Sequence, residues 1–263
     1  MQLDRSDIDL WHVDAENFEL SQLEAGCLSW LNGKELRRCQ RLYFASHRKH
    51  LLLGRFLIRS VLSEYAPETQ ASEWCFTENQ YGKPAIDTAH HHCSLFFNLS
   101  HSAGKLVLAV ARIEPIGVDI ESSTKARRIL QIANRFFSEQ EVIDLLRLKE
   151  DQQQQRFYEL WTLKEAYIKA CGQGLAIPLK HFSFSLLSTK QIVISFDGNR
   201  NDNADSWQFW VVDAGSNHKL AVAVKSPTGS AVQRINSREL LGMDITKSSN
   251  LLETTISRSS QAR

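Results

Sequence analysis

The stretch from Asp151 to Gly172 constrains this chain most. Asp151 suits a helix N-cap and Gly172 suits a helix end, so the spacing predicts one long helix through Gln152 to Cys171. Within it Trp161, Glu165 and Lys169 recur at i, i+4 and i+8, while Leu160, Leu163, Tyr167 and Ala170 form an opposing, mostly apolar stripe. Such a helix must cover its stripe against another layer, and it carries an acid and a lysine along one open edge.

Upstream, Gly117-Val118-Asp119-Ile120-Glu121 reads as a strand. The period of two places Asp119 and Glu121 on one face, roughly 7 Å apart, with Val118 and Ile120 on the other. Three carboxylates without paired Cys or His ligands describe a hard oxygen site, better suited to Mg²⁺ completed by phosphates than to zinc. Taken singly, each stretch has an ordinary reading as a solvated strand face or a surface ion pair.

The remaining elements follow from local pattern. Ile8 to Val13 opens with a strand, and Phe18 to Leu31 shows helical leucine spacing. Lys34, Arg37, Arg38 and Arg41 make a basic stripe, which Arg48, Lys49 and His50 extend into a helix over Leu51 to Tyr65. That stripe reads either as a solvated helix face or as a landing site for phosphates or an acidic partner. Asn79 to Pro84 is a turn, Phe96 to Ser102 a strand running into polar residues, and Leu106 to Ala111 a buried strand expected to pair with the Ile116 strand as a hairpin. Arg127 to Phe137 reads as a helix, and Ser138 with Glu141 forms a capping box. Phe182 to Phe184, Gln191 to Phe196, Trp207 to Val212 and Lys219 to Val224 alternate as antiparallel strands. Residues 226–263 are rich in Ser and Thr and are expected to be a mobile tail with a short helix at Ser237 to Leu241.

Composition removes several classes of function. With 31 Lys and Arg against 30 acids among 263 residues, bulk charge argues against a nucleic-acid binder while leaving room for a local basic patch, and 43% hydrophobic residues can fill a sizeable core. The polar start Met1 to Asp7 has no signal-peptide core, and no long uncharged apolar run follows. Cys27, Cys39, Cys75, Cys93 and Cys171 lack Cys-x-x-Cys spacing, as expected of reduced thiols in the cytoplasm. The run His90-His91-His92 reads as solvated.

In this order, Phe97-Asn98-Leu99-Ser100-His101-Ser102, Gly117-Val118-Asp119-Ile120-Glu121 and Trp161-Thr162-Leu163-Lys164-Glu165-Ala166-Tyr167-Ile168-Lys169 resemble the signature of the 4′-phosphopantetheinyl transferases. Tyr81-Gly82-Lys83-Pro84, Arg135-Phe136-Phe137-Ser138 and Gly172-Gln173-Gly174-Leu175 extend the resemblance to their long, Sfp-type branch, over about residues 8 to 225. It implies an α+β pseudo-dimer of two similar halves, with coenzyme A in the cleft between them. The expected division is 1–104, contacting the nucleotide, and 105–225, carrying the acids.

The resemblance further implies transfer of the 4′-phosphopantetheine arm of coenzyme A to a serine of an apo acyl or peptidyl carrier protein by a cytoplasmic monomer, releasing 3′,5′-ADP. Asp119, Glu121 and Glu165 would hold Mg²⁺. Glu165 and Lys169 would be catalytic, and Arg38, Arg48, Lys49, Lys83, Ser100, His101 and Lys169 would bind coenzyme A. Glu141 would lie just behind the metal. Where many relatives have an aspartate and an arginine before the Leu-Leu-Gly turn, this chain has His47 and His50, which carry less charge at neutral pH. A Mg²⁺-dependent nucleotidyl transferase or phosphatase would use the same acids but leave Ser100, His101 and Lys83 unexplained. The other alternative is a coenzyme A or carrier-protein binding module without catalysis.

Overall fold

The computed structural model describes residues 1–124, 128–186, 190–226, 232 and 234–260. The same order of elements runs through the chain twice. The first pass is β1 (Asp7–Asp14), α1 (Leu20–Cys27), α2 (Gly33–Arg41), α3 (Ala45–Tyr65), β2 (Phe76–Glu78), β3 (Pro84–Ile86), β4 (Phe96–Ser102) and β5 (Lys105–Ala111). The second is β6 (Ile116–Ser122), α4 (Ile129–Phe136), α5 (Glu139–Leu146), α6 (Glu150–Cys171), β7 (Phe182–Ser185), β8 (Val193–Phe196), β9 (Trp207–Asp213) and β10 (His218–Lys225). Three further strands close the chain: β11 (Arg234–Leu240), β12 (Ser249–Leu252) and β13 (Ile256–Ser259).

Strand order repeats as well, β1-β5-β4 in one antiparallel arrangement and β6-β10-β9 in the other, which is the expected pseudo-dimer of two α+β halves. Each half packs its long helix on its own sheet over its own core, and a third core, with Ile8, Leu10, Val118, Ile120 and Val222, joins the sheets. None of the described helices is long and apolar enough to cross a membrane.

The repeat reaches individual residues. In each half the helix before the long one opens with a capping box, Asn32 with Glu35 and Ser138 with Glu141. That glutamate then pairs with a buried cation on the long helix: Glu35 with Arg59 at 3.1 Å, Glu141 with Lys164 at 2.8 Å. Each cation also donates to backbone carbonyls past its helix, Arg59 to Trp74 and Lys164 to Leu179 and Phe182. Each lies over a ring of the next strand, Phe76 or Phe182. The device satisfies a buried charge with hydrogen bonds as well as a counter-charge, which a buried pair needs to be tolerated. Glu141 is thus an anchor for α6 and β7, accepting also from the Phe184 amide at 2.9 Å, and the expectation that it lies behind a metal is corrected.

Other expectations also change. β5 and β6 form no hairpin: β5 pairs with β1 and β4, and β6 with β10. A division after residue 104 would cut the β4–β5 pair, so sheet membership puts the break between β5 and β6. The expected mobile tail contains strands instead. β11 lies parallel to β1 and takes up Ser237 to Leu240 of the expected helix, β12 pairs with β11, and β13 with β9. Val232, Ile235, Leu240 and Ile245 are buried, whereas Leu241, Leu251, Leu252 and Ile256 are exposed, and Asn236 and Arg238 reach the buried Asp9 of β1. Residues 227–231, 233 and 261–263 of that tail, and Arg127 of the expected fourth helix, lie outside the described residues. The Phe18 to Leu31 helix is shorter than its pattern, ending in a 3₁₀ turn over Leu28–Trp30. α6 begins after Lys149, so Asp151 sits in its first turn rather than at its cap, and Gly172 ends it at φ 70°.

Candidate active site

The site forms where α6 crosses β6. A Cβ on Gly117 would lie 2.1 Å from the Ala166 carbonyl oxygen and 2.5 Å from the Ala170 nitrogen, so only glycine allows the helix this close. That approach brings Glu165 and Lys169 over Asp119 and Glu121. Lys169 Nζ donates to Asp119 Oδ1 at 2.7 Å, to Ser100 Oγ at 2.8 Å and to the Val118 carbonyl at 3.2 Å.

β6 borders β4 without backbone pairing, so its outer polar groups need other partners. Side chains provide them. Asn98 Oδ1 accepts from the Val118 amide at 2.9 Å, Ser100 Oγ from Ile120 at 3.2 Å and Ser102 Oγ from Ser122 at 3.1 Å. The two hydroxyls donate onward, Ser100 to Asp119 Oδ1 at 2.8 Å and Ser102 to Glu121 Oε2 at 3.0 Å. Asn98 and Ser102 had not been singled out from the sequence, although polar residues at every second position of an otherwise apolar strand are the signal that could have found them.

Burial, reinforced by the neighbouring acids, sets the charge of this patch. Desolvation pushes Asp119 above the usual carboxylate range, against the pull of Lys169 and Ser100. Glu165 is pushed up to about 7, first by burial, then by the charges of Asp119 and Glu121, with Lys169 opposing. Among the described residues no three His, Cys, Asp or Glu side chains are already drawn into a metal cage. Asp119 Oδ2, however, is buried without a hydrogen-bond partner, and an all-oxygen donor set beside such an atom suits a hard divalent cation.

The expected coenzyme A ligands separate into two groups. Arg38 and His101 line a cavity of about 500 Å³ with Leu42, His47, His50 and Arg55. His101 and His50 rings stand 6.1 Å apart, and desolvation, His50 and Lys169 together lower the pKa of His101. Arg48 and Lys49 are not among its lining residues, and Arg48 instead donates to the Leu42 carbonyl at 3.3 Å. Lys83 is a tether: its ammonium donates to the carbonyls of Ile116 at 3.1 Å and Ala170 at 2.9 Å. Asn79 adds a bond to the Gly172 carbonyl at 2.7 Å, so the β2–β3 turn of the first half grips the end of α6. Ser100 is committed to Lys169, Asp119 and Ile120, which uses the donor and both acceptor sites of one hydroxyl.

Comparison with known proteins identifies this constellation. Residues 115–224 match the 4′-phosphopantetheinyl transferase superfamily, and residues 18–114 match the 4′-phosphopantetheinyl transferase N-terminal domain. The chain is 35% identical over 201 residues to 4′-phosphopantetheinyl transferase Sfp of Bacillus subtilis, covering 76% of this chain and 84% of that protein. It is 41% identical over 169 residues to 4′-phosphopantetheinyl transferase ffp of Bacillus subtilis, covering 64% and 72%. With 4′-phosphopantetheinyl transferase HetI of Nostoc sp. the identity is 32% over 218 residues, covering 83% and 87%. The chain belongs to the 4′-phosphopantetheinyl transferase superfamily, in its long, Sfp-type branch.

Proposed function

We propose that this enzyme transfers the 4′-phosphopantetheine arm of coenzyme A to a serine of an apo acyl or peptidyl carrier protein, with Asp119, Glu121 and Glu165 as ligands of Mg²⁺. The observation that carries this reading is the buried, unpartnered Asp119 Oδ2 beside two further acids and Lys169. In the reaction the serine oxygen forms a bond to the pantetheine-side phosphorus of the pyrophosphate, the P–O bond to the nucleotide breaks, and 3′,5′-ADP leaves. When bound, Mg²⁺ supplies charge neutralisation at the pyrophosphate oxygens.

This chain's residues do the rest. Glu165, beside Asp119 and Glu121, receives the serine proton directly or through a water. Lys169 hands its ammonium to the leaving phosphate. Arg38 and His101 receive nucleotide phosphates in the adjoining cavity, with Arg48 and Lys49 adding positive field rather than contact. The basic stripe over Lys34 to Arg41 favours an acidic carrier. One chain builds both walls of the site, so a monomer suffices, and its five free thiols suit the cytoplasm.

The test is an intact-mass assay with coenzyme A, Mg²⁺ and several apo carriers, alongside EDTA and Glu165→Gln controls. The expected result is a phosphopantetheine mass gain on a carrier, lost in both controls. Binding of coenzyme A without a gain on any carrier would contradict transfer.

A further inference from the structure

β4 treats the two strand acids of β6 identically. Ser100 accepts from the Ile120 amide and donates to Asp119, the residue before it. Ser102, two positions along, accepts from the Ser122 amide and donates to Glu121, again the residue before. Because β4 and β6 both have a side-chain period of two, the hydroxyls advance in step with the carboxylates. Each hydroxyl therefore ties a carboxylate rotamer to the backbone of its own strand.

We propose that Ser102 and Ser100 are positioning residues: their hydroxyls fix the carboxylates of Glu121 and Asp119 in the orientation from which they hold the cation. The proposal rests on the reading of these acids as metal ligands. Both hydroxyls are buried and hold fixed partners, Ser102 7% and Ser100 4% exposed. A serine in this arrangement offers its only proton to the carboxylate, so it serves a phosphate only by abandoning that acid. Ser100 is thereby moved from the coenzyme A ligands to the support of Asp119. Ser102 is the cleaner subject, since it makes no contact with Lys169 among the described bonds.

Partners of this kind are worth about 10- to 100-fold in metal affinity. The experiment titrates Mn²⁺, read by the free-ion electron paramagnetic resonance signal, into wild-type protein, Ser102→Ala, Ser102→Thr and Asp119→Asn, all with coenzyme A present. Ser102→Ala is expected to weaken Mn²⁺ about tenfold or more. Ser102→Thr, which keeps the hydroxyl, retains wild-type affinity, and Asp119→Asn loses binding. Thermal unfolding of each metal-free variant confirms that it is folded, and if Ser102→Ala is not, the near-isosteric Ser102→Cys carries the same expectation. Unchanged Mn²⁺ affinity in the folded Ala or Cys variant, with wild-type protein binding normally, overturns the positioning role alone. An equal loss in Ser102→Thr also overturns it, because the hydroxyl would then not be the cause. If wild-type protein binds no Mn²⁺, the metal reading itself falls, and the proposal with it.

Discussion

The two halves put very different residues into the same place. Beneath α3, β1 turns Trp11 and Val13 into the first core, and beneath α6, β6 turns Asp119 and Glu121 toward Lys169. The outer edge of β1 is closed by the tail strand β11, and its buried Asp9 is satisfied by Tyr65 and Asn236. Among the described residues the outer edge of β6 pairs with no strand and instead meets the side chains of Asn98, Ser100, Ser102, Lys83 and Lys169. At this position one copy of the fold has been filled and made structural. The other keeps a slot open, in which Asp119 faces Lys169 and Glu165 rather than a tail strand, and can accept a ligand there. The cost of that slot appears at Asp119 and Glu165, whose carboxyl groups burial pushes above the usual range.

The contrast is broken most forcefully at the acids. Glu165→Gln is expected to lower transfer by about 10²- to 10⁴-fold. In the first half Trp11→Phe, which loses the bond from Trp11 Nε1 to Tyr65, should cost about 1 kcal/mol of stability and leave kcat unchanged. Carrier-loading rates and urea unfolding of both variants decide it, and a comparable rate loss in Trp11→Phe would remove the distinction between the halves.

Next come the paired anchors. Lys164→Met leaves Glu141 buried without its cation and should destabilise by about 3–5 kcal/mol. Arg59→Met should cost less, because Glu35 keeps Arg55 at 2.5 Å. Denaturant midpoints with unchanged slopes would rank the two.

Gly117→Ala forces a methyl against the α6 backbone and should cost about 1–3 kcal/mol, with a larger proportional loss of kcat because Glu165 and Lys169 move with the helix. An unfolding curve and a transfer rate on the same sample separate the two effects.

The last effect is one of pH in metal-free protein. Glu165 has its folded pKa raised to about 7 from an ordinary 4.5, so folding favours its protonated form. Its contribution to stability is complete below about pH 4.5 and is lost as pH rises through about 7. Glu165→Gln should therefore match wild type in acid and become the more stable protein toward neutral pH. Thermal midpoints across pH 4 to 8, with EDTA, would show the crossing or its absence.

Much of the second half was legible from sequence because its signals were local. The spacing of Trp161, Glu165 and Lys169, the alternation at Asp119 and Glu121, and the capping box at Ser138 all use rules that act within one element. What escaped was long-range. The tail reads as polar because β11 buries only a few residues and satisfies its polar side chains against Asp9 and Asp7, which no local pattern reveals. The resemblance gives Lys83 to coenzyme A, yet its partners are carbonyls far along the chain. The matching of Glu35 and Arg59 with Glu141 and Lys164 was invisible for a similar reason, since an arginine and a lysine do the same work in the two halves.

The most direct test of the central claim is intact-mass analysis of an apo carrier after incubation with coenzyme A, Mg²⁺ and either wild-type protein, Asp119→Asn or Arg238→Ala. Arg238 supports Asp9 on the closed β1 edge, whereas Asp119 holds the open oxygen on β6. Wild type and Arg238→Ala should both load the carrier, and Asp119→Asn should not. A carrier loaded by Asp119→Asn at the wild-type rate would contradict the assignment of the chemistry to the open slot of the second half.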